Sequence, residues 1–106
     1  MNTYENVMVT AMEECAEVQQ AISKALRFGL DNTLPNEPEK TNRFQILEEY
    51  CQLQAVMELL MDRSALGLLK EEEINAIKTK KIKNVDKYQK YSIELGLVQL
   101  DEGEER

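Results

Sequence analysis

Both prolines of this chain, Pro35 and Pro38, fall in one short segment, and Gly29, Gly67, Gly96 and Gly103 lie between long stretches that hold neither residue. Those stretches are made of helix-favouring residues, free in their interiors of the two strongest helix breakers. An all-α fold is the reading this dictates, since a sheet would need more turns than so few breakers supply. With 42% apolar and 31% charged residues in 106, the chain has material for one soluble domain with one core.

The first helix is expected from about Thr3 to Arg27, closed at Phe28 and Gly29, where glycine can take a left-handed conformation. Its apolar row runs Val7, Ala11, Glu14, Val18, Ala21, Ala25, so an acid occupies a packing position, with Glu17 one turn further on. Leu30 to Lys40 reads as an ordered or mobile loop, of the kind that often covers a site. A second helix follows from about Arg43 to Arg63, capped by Thr41 or Asn42. Its stripe is Ile46, Tyr50, Leu53, Val56, Met57 and Leu60, bordered by Glu49 and Gln52. Ser64 to Gly67 makes a tight turn. The third helix begins near Lys70 or Glu71, with Glu71, Glu72 and Glu73 at the positive end of its dipole, and ends before Gly96. Lys81 interrupts its row of Ile74, Ile77, Val85, Tyr88 and Leu95.

Tyr50, Tyr88 and the methionines Met8, Met12, Met57 and Met61 read as core filling. Residues 1–98 form the helical domain, and residues 99–106 an acidic, disordered tail, Asp101 to Arg106 above all. Three amphipathic helices give limited burial, so an antiparallel bundle of three helices is expected to be completed as a four-helix-type bundle by a second copy, as a homodimer or homotetramer.

A net charge of -7 argues against a nucleic-acid partner, whose phosphates call for Lys and Arg. No apolar run reaches the roughly 20 residues that span a bilayer, and the N-terminus carries acids where a secretory signal is basic and apolar. A cytoplasmic protein with no membrane partner is the expectation. In that compartment Cys15 and Cys51 are read as reduced, buried thiols rather than a disulfide. With no histidine in the chain, a zinc site has too few ligands.

Carboxylates aimed at a packing face are costly unless a cation meets them. Residues three apart share a helix face, so Glu14 with Glu17, and Glu49 with Gln52, each form an oxygen clamp. Two antiparallel helices would bring the clamps together. Hard oxygen donors without imidazole or organised thiolate select Mg²⁺ or Mn²⁺, and Mg²⁺ held this way shares phosphate oxygens with a substrate.

The run Glu13-Glu14-Cys-Ala-Glu17, then Ser23-Lys-Ala-Leu-Arg-Phe-Gly29, Leu47-Glu-Glu49-Tyr-Cys-Gln52 and Lys87-Tyr-Gln-Lys-Tyr-Ser-Ile-Glu-Leu-Gly96 resembles the MazG-like nucleotide pyrophosphohydrolases, most of all the small single-domain versions of bacteriophages. The likeness covers about Tyr4 to Val98, and its main signature is E-x-x-E followed one helix later by E-x-x-D. It implies an all-α, Mg²⁺-dependent hydrolase that cleaves a nucleoside triphosphate to the monophosphate and pyrophosphate. It makes Glu14, Glu17 and Glu49 the metal-binding and catalytic acids, with Gln52 at the fourth ligand position, where the family has Asp. It makes Lys24, Arg27, Lys80, Lys81 and Asn84 candidates to hold phosphates, and the host cytoplasm the location if the chain is phage-encoded.

Bland readings stand beside these. The acids can be surface or interface charges paired with lysine, and Glu13 and Glu48, off the row, are expected to face solvent. The lysines of the run Lys78 to Lys83 can be a solvated, snorkelling face. Gln52 brings an oxygen but no charge. That motivates an alternative function: a catalytically degenerate relative that senses or sequesters a nucleotide or contacts a host protein.

Overall fold

The computed structural model describes residues 1–62 and 66–100. They form α1 (Thr3–Phe28), β1 (Thr33–Leu34), β2 (Glu37–Thr41), α2 (Asn42–Asp62) and α3 (Glu71–Glu94), so the chain is all-α in character with one small antiparallel ribbon. Two compact units divide it, Met1–Leu68 and Leu69–Arg106.

In the first unit, α1 starts at a reciprocal cap. The Glu5 backbone N–H donates to the Asn2 side chain at 2.9 Å, and the Asn2 backbone N–H donates to Glu5 Oε1 at 3.2 Å. The helix stops at Gly29, whose φ of 95° and ψ of 144° suit glycine alone. A Cβ there would lie 2.9 Å from Asn32 Nδ2, the far end of a side chain that can shift, so it is the backbone conformation that requires glycine.

The segment expected to be a loop between Leu30 and Lys40 is instead a β-hairpin, turning at Pro35 and Asn36. A two-stranded ribbon consists of edges, where a proline costs little, which is why Pro38 fits inside β2. The ribbon is tied back to the helix junction: the backbone N–H of Asn42 donates to Asn32 O and that of Arg43 to Leu30 O, each at 2.8 Å. Arg43 also pairs with Asp31 at 3.0 Å, which draws the Asp31 carboxyl below its ordinary range by hydrogen bond and charge.

Thr41 is the cap of α2, its Oγ1 accepting from the Phe44 N–H at 3.1 Å. Asn42 has a different task. Its side chain is fully buried and Nδ2 donates to Gly29 O at 2.8 Å, fastening the end of α1 to the start of α2. The two helices therefore run antiparallel and pack through Ala11, Ala21 and Ala25 on α1, with Leu60 buried on α2. The buried face of α1 is the row read from the sequence, with Val7, Glu14 and Val18 half-buried along it. Three alanines allow a close approach of backbones. They also make a thin core.

Several residues read as core are not. Tyr50 and Tyr88 are exposed, as are Met8 and Met12, while Met57 and Met61 are half-buried. Tyr50 lies off the buried row because Glu49, not Tyr50, shares the face of Leu53, Val56 and Leu60. Cys15 and Cys51 are free thiols, but exposed rather than buried, since neither falls on the Ala/Leu contact.

The second unit contains α3, capped by the Lys70 N–H donating to Glu73 Oε1 at 3.0 Å. No residue of α3 is buried, so its apolar row of Ile74, Ile77, Val85, Tyr88 and Leu95 is exposed, as is Lys81. Gly96, at φ 77°, follows its end. The turn read at Ser64 to Gly67 lies partly, and the tail Asp101 to Arg106 wholly, outside the described residues.

The Asn42 fastening is the most specific contact of the hairpin. Asn42→Ala, which strands the Gly29 carbonyl, is expected to cost about 1–3 kcal/mol, against about 1 kcal/mol for Thr41→Ala. Urea unfolding measures both, and an Asn42→Ala loss within about 0.5 kcal/mol of zero would show that the bond does not hold the hairpin.

Candidate functional site

Glu14 and Glu17 stand three residues apart on α1, and α2 brings Glu49 to them, so that one carboxylate oxygen from each lies within 4.8 Å of the other two. The local reason is the alanine contact. Small side chains let the helices approach, the Asn42 fastening sets their register, and acids placed on the packing rows have to meet.

Glu14 and Glu49 are half-buried and Glu17 is exposed. Glu14 Oε2 and Glu49 Oε2 are each sealed from solvent without a hydrogen-bond partner. Burial raises the Glu14 carboxyl above the ordinary glutamate range, and the charge of Glu17, a hydrogen bond with Glu17 and the charge of Glu13 add to it. Burial likewise raises Glu49, followed by a hydrogen bond with Glu17, the charges of Glu17 and Glu14, and that of Glu48. Every charged group that shifts these two acids is another carboxylate. The ion pairs Lys40–Glu48 and Arg43–Asp31 engage their cations elsewhere.

This cluster is therefore self-repelling, and chemistry offers it two remedies: shared protons, or a cation. Two sealed carboxylate oxygens without donors, beside a third acid open to solvent, are a donor set that suits a hard divalent ion. Glu14, Glu17 and Glu49 would hold it.

The other candidates are distributed differently. Gln52 is exposed and lines a shallow groove on α2 with Phe44, Leu47, Glu48, Cys51 and Ala55. Lys24 is half-buried on α1, and Arg27 is exposed near its end with its guanidinium 4.8 Å from the centre of the Phe28 ring. Lys80, Lys81 and Asn84 are exposed on α3, where Lys81 and Asn84 border a groove with Val85, Tyr88, Gln89 and Ser92. Glu13 is exposed, as read from the sequence. Glu48 is instead half-buried, because Lys40 of the β-hairpin reaches it at 3.1 Å. Asn42, read from the sequence as an alternative cap of α2, is instead buried and fastens the helix junction through Gly29 O. Its signal was present, as an asparagine beside the cap position, but capping was the only task read for it.

Comparison of the chain with protein-family models, with curated proteins and with solved structures found no match in any of the three.

The raised acids give the unliganded protein a characteristic pH response. Their folded-state pKa values lie above the unfolded ones, so the folded form holds more protons between the two. Their contribution to stability is greatest below the ordinary glutamate pKa and declines as pH rises through the raised one. Asp31, lowered by Arg43, acts in the opposite sense but at more acidic pH. Melting temperature in chelator is expected to fall from about pH 4.5 to pH 7, less steeply in Glu49→Gln, and added Mg²⁺ to restore the wild type more than the variant. Identical profiles for the two proteins would remove the electrostatic account of this cluster.

Proposed function

We propose that this protein is a divalent-metal-dependent nucleotide pyrophosphohydrolase of the MazG-like type, cleaving a nucleoside triphosphate to its monophosphate and pyrophosphate. The observation that carries the reading is the meeting of Glu14, Glu17 and Glu49, within 4.8 Å, with two sealed and unpartnered oxygens among them. The first two acids come from the E-x-x-E of α1 and the third from the E-x-x-Q of α2, the order in which the resemblance places them.

Mg²⁺ or Mn²⁺, when bound, supplies neutralisation of triphosphate oxygens and a water of lowered pKa. The chain's own residues do the rest. Glu14 and Glu49, half-buried on facing helices, fix donor oxygens in place. Glu17, the exposed member, lies on the solvent side, where substrate enters. One of the three carboxylates takes the proton of the attacking water. Lys24 and Arg27, on the same helix as Glu14 and Glu17, are the groups assigned to phosphate oxygens.

A second reading is favoured by Gln52. An amide in place of the motif's Asp removes one negative charge, and a protein that binds a nucleotide without cleaving it would keep the fold and lose that charge. On that reading the protein senses or sequesters a nucleotide or contacts a host protein.

Pyrophosphate release over a panel of ribo- and deoxyribonucleoside triphosphates separates the readings. The hydrolase reading expects turnover that requires Mg²⁺ or Mn²⁺ and falls at least about a hundredfold in Glu14→Ala and in Glu49→Ala, metal-site residues being at least as sensitive as their supporting partners. Nucleotide-induced thermal stabilisation without turnover would replace it with the second reading. Neither turnover nor stabilisation would dismiss both.

A further inference from the structure

The face of α1 that carries Glu17, the exposed acid of the cluster, differs chemically in its two directions. Residues four, seven and eleven positions apart share a helix face. Toward the N-terminus those positions are Glu13, Thr10 and Asn6, an acid and two neutral polar groups. Toward the C-terminus they are Ala21, Lys24 and Phe28. Lys24 stands about 10 Å and Phe28 about 16 Å from Glu17 along the helix axis. One direction therefore offers a small residue, a cation and an aromatic ring in succession, and the other offers none of these.

Each of the three is available. Ala21 is buried against α2, so no long side chain rises from that position between Glu17 and Lys24. Lys40 and Arg43 pair with Glu48 and Asp31, and Arg27 lies over Phe28, whereas half-buried Lys24 has no ion-pair or ring partner among the described residues. Phe28 is the last residue of α1 and is 45% exposed, with the Arg27 guanidinium 4.8 Å from its ring centre. Its backbone is well held. Asn32 Nδ2 donates to Phe28 O at 2.5 Å, and Asn42 Nδ2 donates to the carbonyl of the adjoining Gly29 at 2.8 Å. An exposed ring on fixed backbone beside a guanidinium suits a flat, apolar ligand group, since bases stack on aromatic rings and Arg adds a cation–π contribution.

We propose that Phe28 is the platform on which the base of the nucleotide stacks, the nucleotide lying along α1 with its triphosphate at Glu17, Lys24 beside the phosphates and the base at the helix junction. The proposal rests on the nucleotide reading of the acid cluster and gives that site a direction. Charge selects the direction. A triphosphate extended toward Glu13 would meet a further carboxylate, whereas one extended toward Lys24 and Arg27 meets cations. Every base has a π-face, so such a platform distinguishes a nucleotide from inorganic polyphosphate without choosing among bases. The ligand class it implies is nucleoside triphosphates broadly.

The test uses the full chain in Mg²⁺. Calorimetry compares an α,β-methylene nucleoside triphosphate, which resists cleavage, with inorganic tripolyphosphate, which has the phosphates and no base. The wild type is expected to hold the nucleotide analogue at least about fivefold more tightly, the lower end of what stacking on one ring contributes. Phe28→Ala is expected to abolish that difference while tripolyphosphate binding is unchanged, and Tyr50→Ala, which removes an exposed ring from α2, is expected to keep it. If Phe28→Ala lowers helical circular dichroism, Phe28→Leu takes its place, retaining apolar bulk without the flat face. The chain has no tryptophan, so Phe28→Trp adds a single reporter, whose fluorescence is expected to be quenched by the analogue and not by tripolyphosphate. Equal wild-type affinity for the two ligands would overturn the proposal and leave the metal site standing. So would a Phe28→Leu protein that keeps the difference, or one that loses affinity for both ligands alike. A wild type that binds neither ligand would remove the nucleotide reading itself, and the platform with it.

Discussion

The contact of α1 with α2 is what the rest of the first unit depends on, and it is made by very little material. Three alanines and one leucine are its fully buried apolar residues, and a single buried asparagine locks its register by donating to Gly29 O. Burying one leucine contributes about 1.5–3 kcal/mol and an alanine less, so the contact is held as much by geometry as by apolar area. Gly29 turns the chain where no other residue could, the β-hairpin returns it, and Asn42 closes the junction. Shift that register by one residue and Glu49 would leave the face on which it meets Glu14 and Glu17.

That arrangement runs against electrostatic economy. Placing half-buried carboxylates beside an exposed third raises the pKa of two of them, and stability is lost to hold them there. Strain of this type is concentrated where chemistry or binding takes place, because a site assembled to meet a cation must carry unsatisfied charge until the cation arrives. The cluster has two sealed oxygens without hydrogen-bond partners and one solvent-facing acid.

The helical course of the chain was legible because it rests on local rules. Thr41 caps, Gly29 and Gly96 stop, and the rows at helical spacing mark one face of each helix. The acid on the α1 row was legible for the same reason: Val7, Ala11, Val18 and Ala21 define a face, and Glu14 is on it. The β-hairpin was not. Its residues, with Pro35 and Pro38, carry the composition of a loop, and the ribbon exists because Asn32 and Leu30 accept from the start of α2, partners that no local pattern reveals. Tyr50 and Met12 were misread as core for a related cause, since an apolar residue at a plausible spacing is buried only if another element arrives to cover it.

The sequence by itself determined three helices, their caps and breaks, and the presence of carboxylates on rows that would otherwise be apolar, because each of these is decided within a few residues of chain. Only the tertiary structure decided that Glu49 joins Glu14 and Glu17, that Glu48 turns aside to Lys40, and that Asn42 is a buried fastener. The physical reason is that distance along a helix fixes which face a side chain occupies, whereas what that face meets depends on how closely two backbones can approach. Here the small side chains of Ala11, Ala21 and Ala25 set that approach.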